Sequence, residues 1–319
     1  MPSPIARREF LAGMAALTTA TAASRFGFVP ESGSPFHVSV INDEISQDFG
    51  HACEVASKEF GMGWIELRGM WKKNIVNLDE REVAEARGIL EKYQLKVSDI
   101  ASPLFKVDWP GAPKSKYSEG GGFGANFSYA QQPDVLERAM AMAKAFGCDR
   151  VRCFDFWRLE DQAPYRDGMN EKLRDAAEKA GKQGITLVLE NEPACNTATG
   201  AEAAKVLSAV PSPLMLNWDP GNAAASGEIP YPDGYKLLPK DRIGHCHCKD
   251  VVKKAKKYDW APMGGGLIDW AGQFKALKAD GYHLAVSLET HWNGGGSPEE
   301  SSRKSWAGMK KLLQEADAL

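Results

Sequence analysis

Three things are missing from this sequence, and each closes off a class of function. No apolar run approaches the roughly 18 residues that a membrane span requires. Positive charge is not in excess: 39 Lys and Arg stand against 42 Asp and Glu in 319 residues, a formal charge of −3. A nucleic-acid binder needs clustered cations, so that class is excluded as well. No G-x-G-x-x-G follows the first β-rich run, which counts against a dinucleotide-binding sheet. What is present is an ordinary globular composition, 43% apolar and 25% charged. It is long enough to bury a large core, and it is not that of a disordered, collagen-like or disulfide-scaffold chain.

The N-terminus reads as an export signal. Arg7-Arg8-Glu9-Phe10-Leu11 precedes a mild apolar run from Ala12 to Ala16, and Ala20-Thr21-Ala22 has the form of a cleavage site. The paired arginines followed by Phe-Leu resemble the twin-arginine motif; the plainer alternative is an ordinary basic leader. The expected organisation is a signal peptide over residues 1–22 and one domain over 23–319, exported to the periplasm by the twin-arginine route. That route carries folded proteins. Cys53, Cys148, Cys153, Cys195, Cys246 and Cys248 are therefore expected as free buried thiols, with one disulfide left open.

Beyond the signal, eight short runs rich in Val, Ile, Leu or Phe alternate with helical stretches. The runs are 36–42, 64–68, 96–101, 150–156, 185–190, 214–219, 242–248 and 283–289. Helices are expected over 79–93, 133–146, 170–182, 200–209, 269–279 and 298–316, the first with Asp79 and Glu82 placed as a capping box. The sixth connection, 231–240, has room only for a short helix. Eight βα units predict an α/β fold, a single-domain (β/α)8 TIM barrel, with an open doubly wound sheet as the alternative. Two long glycine-containing loops, 102–132 and 250–268, fall on the side where barrel active sites form.

The chemistry sits at the ends of the last four runs. Glu190, Asp219, His247 and Glu289 each end one of them, spaced by about one βα unit. In a barrel such positions project toward a common point. Three carboxylates share a point only if a cation or protons neutralise them, so the economical reading is one divalent metal ion held by Glu190, Asp219, His247 and Glu289. Three hard oxygens and one nitrogen suit Mn2+, Mg2+ or Co2+, with Zn2+ also admissible. Cys246 and Cys248 fall on the opposite strand face from His247 and are expected to point at the helical layer.

Leu189-Glu190-Asn191, Asp219-Pro-Gly-Asn222, His245-Cys-His247-Cys-Lys249-Asp250 and Ser287-Leu-Glu289 resemble the motifs of the xylose isomerase-like TIM-barrel superfamily, most closely its sugar phosphate isomerase/epimerase family. The resemblance implies that Glu190 and Glu289 both bind the metal and move protons. The sequence departs from the pattern at Asn222, where related epimerases and dehydratases often carry His; Asn does not transfer a proton at neutral pH. The DNA-repair branch uses many histidines, and this chain has six.

The expected activity is that of a metal-dependent isomerase or epimerase acting through a metal-bound enediolate on a non-phosphorylated sugar, keto sugar or glycoside. The alternatives are a lyase or dehydratase acting on a keto sugar or inosose with the same site, and a non-catalytic sugar-binding barrel. Glu66, Arg152, Trp157, Asn222, Lys249 and His291 are the candidate substrate-binding residues, with Glu44, Arg68 and Asp155 at neighbouring strand ends. His245 reads as a core histidine. The partner is a small carbohydrate, and assembly into a homo-oligomer is left open.

Overall fold

A computed structural model describes residues 33–118, 126–255 and 257–319. Residues 1–22, where an export signal is expected, and the glycine run at 120–124 lie outside the described residues. All eight expected strands are present: β1 His37–Val40, β2 Trp64–Leu67, β3 Lys96–Leu104, β4 Arg150–Cys153, β5 Thr186–Glu190, β6 Met215–Trp218, β7 Ile243–Cys248 and β8 Ala285–Leu288. They pair in parallel in the order β1-β8-β7-β6-β5-β4-β3-β2. A single parallel bridge between Ile41 and Glu66 joins β1 to β2 and closes the circle. The result is the expected (β/α)8 barrel.

Helices cover the barrel because their apolar faces have nowhere else to go. α1 is Phe49–Glu54, α2 Glu80–Tyr93, α3 Gln132–Ala145 and α4 Arg166–Gly181. α5 is Gly200–Ala209, α6 Pro220–Ala225, α7 Trp270–Ala279 and α8 Pro298–Glu315. The capping box of α2 is formed as expected. Asp79 accepts from the Glu82 amide, and the Glu82 carboxylate accepts from the Asp79 amide, both at 2.9 Å; such a cap contributes about 1 kcal/mol. Asp269 and Ser297 cap α7 and α8 from one side only, their side chains accepting from the Gly272 and Glu300 amides. α4 begins four residues earlier than expected, entered through a 3-10 turn at Ala163–Tyr165. The sixth connection holds only a π turn, Pro230–Gly234, and one short helical turn, Tyr235–Leu237.

α1, α6, a short antiparallel pair (Gly69–Met70 with Lys73–Asn74) and a hairpin after β7 were not anticipated. α1 runs straight into a π turn at Val55–Glu59. The inserted residue breaks the 3.6 period by which a helix is recognised in sequence. The loop after β7 is largely a β-hairpin, Asp250–Lys254 paired with Lys257–Ala261. Its base is organised by Asp250, whose carboxylate accepts from the amides of Val251, Gly264, Gly266 and Ile268. A Cβ at Gly266 would collide with that carboxylate, which is why a glycine stands there. The six cysteines are all buried and unpaired. Among the described residues no helix is long and apolar enough to cross a membrane.

Candidate metal centre and cavity

The four expected ligands converge. Glu190 is the last residue of β5, Asp219 follows β6, His247 lies one residue from the end of β7, and Glu289 follows β8. One donor atom from each lies within 4.8 Å of all the others. His247 Nδ1 is 3.4 Å from Glu190 Oε1, 3.6 Å from Asp219 Oδ2 and 3.2 Å from Glu289 Oε2. Donors around an ion with bonds of about 2.1 Å stand roughly 3.0–4.2 Å apart, so these spacings fit a divalent cation. Glu190 Oε2 and Asp219 Oδ2 are buried and accept no hydrogen bond of good geometry, each meeting only the charge of a neighbouring side chain, Arg152 at 3.1 Å and Lys249 at 2.8 Å.

Each ligand is set by its neighbours. Asp219 caps α6, its Oδ1 accepting from the Asn222 amide at 2.8 Å, which turns Oδ2 toward the cluster. Asn191 grips the same peptide, accepting from the Asp219 amide and donating to the Asp219 carbonyl, both at 2.8 Å. Lys249 reaches under α6 and places Nζ 2.8 Å from Asp219 Oδ2 and 2.6 Å from Glu289 Oε2. A Cβ at Gly221 would strike the Lys249 side chain, so the glycine of the D-P-G-N motif makes room for that lysine. Trp260, on the hairpin, stands over the ammonium at 5.1 Å and against the His291 ring at 5.1 Å.

A cavity of about 580 Å³ opens above the cluster. Glu190 and Glu289 line it together with Asp43, Glu44, Arg68, Lys106, Arg152, Glu192, His291 and Trp292. Arg152 donates to the Ala101 and Ser102 carbonyls and sits 3.1 Å from Glu190 Oε2. Arg68 ties three carboxylates together, Asp43 at 2.9 Å, Glu44 at 2.7 Å and Glu289 at 3.1 Å. Burial alone would raise the Glu190 carboxyl, but Arg152 and His247 outweigh it and hold it at about 2. For Glu289 burial is outweighed by Lys249, His291 and His247, which keep it well below the usual carboxylate range. Burial pushes Asp219 up. Burial would lower His247 and Lys249, yet the surrounding carboxylates raise both.

The candidate substrate contacts separate into two groups. Arg152 and His291 line the cavity. Asn222 is buried below it, donating to Glu190 Oε1 at 3.1 Å and to the Asn191 carbonyl at 2.9 Å, and Lys249 is buried against the ligands. Two others stand behind the lining. Trp157 packs with Phe154 and Cys195, and the ammonium of the lining residue Lys106 lies 5.6 Å from its ring. Glu66 is fully buried with both oxygens turned to histidines, Oε1 to His247 Nε2 and Oε2 to His245 Nε2, each at 3.0 Å. It faces the barrel interior because β2 points it across the axis toward β7. Asp155 is likewise internal, bound to Thr197 and Arg166.

Lys106 and Glu192, 3.4 Å apart on the cavity wall, were not anticipated. Lys106 follows a strand that runs to Leu104, beyond the apolar run read at 96–101, and the signal was a strand end placed too early.

The chain was compared with known proteins. The family model for the xylose isomerase-like TIM barrel matches residues 55–312. No curated protein matches the chain. Among solved structures, the IOLI protein with a bound zinc atom superposes with a TM-score of 0.68 at 17% identity, covering 89% of this chain and 99% of that one. A probable 3-DHS dehydratase, AsbF of Bacillus anthracis, gives 0.65 at 18% identity, with 86% and 98% covered. D-allulose 3-epimerase of Methylomonas sp., in complex with D-allulose, gives 0.62 at 16% identity, with 88% and 98% covered. The chain spans only 43% of a larger neighbour in which such a barrel is fused to a 4-hydroxyphenylpyruvate dioxygenase. At these identities the superpositions speak for the fold, and the family match covers most of the sequence: the chain belongs to the xylose isomerase-like TIM barrel family.

Proposed function

We propose that this protein is a divalent-metal-dependent isomerase or epimerase of a small carbohydrate. The observation that carries the reading is the placement of Glu190 and Glu289. Both belong to the candidate ligand set, and both line one cavity from opposite ends of the β5–β8 arc. A divalent ion held by Glu190, Asp219, His247 and Glu289 supplies Lewis-acid polarisation of a substrate carbonyl. The hard donor set favours Mn2+, Mg2+ or Co2+, and the zinc named for the IOLI structure keeps Zn2+ in the same group.

The chain's own residues do the rest. One glutamate removes the proton from the carbon between a carbonyl and a hydroxyl, and the negative charge passes to the two oxygens as an enediolate. Protonation of that carbon from the other face, by the second glutamate, gives the epimer. Protonation of the neighbouring carbon gives the aldose–ketose isomer. Both carboxylates are held ionised in the free protein, as a base must be at neutral pH; the one that acts as acid first takes a proton from solvent and gives it to the carbon, which is the exchange that D2O reads. Arg68 and Arg152 fix their orientation from the cavity side.

The substrate we propose is a free sugar, keto sugar or glycoside. The lining carries five carboxylates (Asp43, Glu44, Glu190, Glu192, Glu289) against three fixed cations (Arg68, Lys106, Arg152), a poor receptor for phosphate. The epimerase neighbour holds a free sugar, D-allulose. The arginine pair of residues 1–22 supports export by the twin-arginine route, where free sugars are met.

The deciding experiment is incubation with a panel of free and oxidised sugars in D2O, with and without chelator. Metal-dependent deuterium at the carbon next to the carbonyl is expected. Elimination of water from the substrate would move the assignment to a dehydratase, and tight binding without exchange to a sugar-binding barrel.

A further inference from the structure

We infer that Glu66 is a positioning residue for the metal centre, a reading that rests on the ligand set above. Glu66 lies on β2, outside the β5–β8 arc that carries the ligands. Its carboxylate crosses the barrel interior to β7, 179 and 181 residues away in sequence. Glu66, His245 and His247 are each fully buried. The two oxygens are divided between the two rings, one Nε2–H donating to each at 3.0 Å. The rings stand edge to face, 5.4 Å between centroids.

The consequence falls on His247. An ionised carboxylate only accepts, so the His247 proton is fixed on Nε2. With the ring neutral, as a metal ligand must be, its lone pair lies on Nδ1, the atom that faces Glu190, Asp219 and Glu289. Without Glu66 the ring is free to take the other tautomer, or to turn its N–H toward three carboxylates. His245 holds the second oxygen and thereby keeps the carboxylate from rotating. Glu66, His245 and His247 also form a cluster with donor spacing suited to a metal. The 3.0 Å nitrogen–oxygen contacts are those of direct hydrogen bonds, with each carboxylate oxygen already taken by one ring nitrogen.

The test is metal binding by the full chain, independent of any substrate. Mn2+ and Zn2+ affinities and stoichiometry are measured by titration calorimetry for wild type, E66Q, H245N and D219N, alongside the Tm of the metal-free proteins. Glutamine keeps the shape of the side chain but accepts through one oxygen only. E66Q should bind about 10–100-fold more weakly, with the metal-free Tm near that of wild type, and H245N should weaken binding less. Long-range 15N–1H spectra of the Zn2+-loaded protein should show the Nε2–H form of the His247 ring in wild type and its loss or mixing in E66Q. Wild-type affinity in E66Q with an unchanged tautomer overturns the inference. A second equivalent of metal that disappears in E66Q overturns it in favour of a ligand. If wild type binds no ion, or binds no better than D219N, the metal centre itself fails and Glu66's role with it.

Discussion

Glu190 and Glu289 close the two ends of one arc of strands, with Asp219 and His247 between them, yet their surroundings are built differently. Glu190 meets a single guanidinium, Arg152, that is itself bolted to the Ala101 and Ser102 carbonyls, and a single amide, Asn222. Glu289 meets Arg68, Lys249 and, at 3.8 Å, His291, and it shares Arg68 with Asp43 and Glu44. One glutamate is held by dedicated partners and the other by a charge network. The electrostatic outcome is the same, since both carboxyls are held ionised, but the network should propagate a perturbation that the dedicated pair confines.

The largest effects should come from the glutamates themselves. E190Q and E289Q should each lower kcat/KM by about 10³-fold or more, because each removes a proton-transfer group and a ligand. Solvent-deuterium exchange separates the two sides. If they serve opposite faces, each variant abolishes turnover, but a substrate epimer pair loses exchange asymmetrically between the variants. Identical residual exchange for both epimers in both variants would remove the two-face reading.

Next come the arginines, and here the comparison predicts unequal damage. R152M takes the guanidinium from one buried carboxylate, whereas R68M takes it from three, of which Glu289 keeps Lys249. Removing one partner of a buried pair costs about 3–5 kcal/mol, so both variants should melt several degrees lower, R68M by more. Acid unfolding adds the sign. Glu190 is depressed from 4.5 to about 2 in the folded state, and Glu289 is also depressed. Their contribution to stability is complete above the unfolded value and is lost as pH falls from about 4.5 toward the folded values. The Tm gap between wild type and R152M should therefore narrow between pH 5 and pH 2. A gap that stays constant would show that Arg152 acts by packing alone.

The same contrast explains what could be read from the sequence. The ligands were legible because each ends an apolar strand run, so a single pattern locates all four. The barrel was legible because eight such runs alternate with capped helices. What escaped depends on contacts across the axis or on where a strand stops. Glu66 looks like any polar strand end, and only the closed barrel turns it to His245 and His247. Trp157 looks like a sugar platform, but the chain turns it to Cys195 through an isolated bridge. Lys106 was missed because Ser102 and Pro103 break the apolar run two residues before the strand ends.

A mid-sized effect is expected at Asn222, on the dedicated side. N222A removes the only side-chain amide that donates to Glu190 among the described residues, and a hydrogen bond to a charged group is worth about 1.5–3 kcal/mol. Activity should fall about 10- to 100-fold, with the acid limb of the kcat/KM profile shifted upward as the Glu190 carboxyl loses a donor.

The smallest effect belongs to the network side, at His291. Its side chain is 31% exposed, and its Nδ1 stands 3.4 Å from Glu44 and 3.8 Å from Glu289, both already held by Arg68. Exposed pairs at such distances contribute about 0–1 kcal/mol, which bounds the loss in H291N at roughly fivefold. Because His291 lines the cavity and makes no hydrogen bond to Glu289, that loss should fall mainly on KM, with kcat nearly unchanged and the acid limb moved slightly upward as Glu289 loses one of the charges that keep it ionised. A kcat loss as large as that of N222A would mean that His291 orients Glu289 as Asn222 orients Glu190, and the two glutamates would then have equivalent support despite their different neighbours.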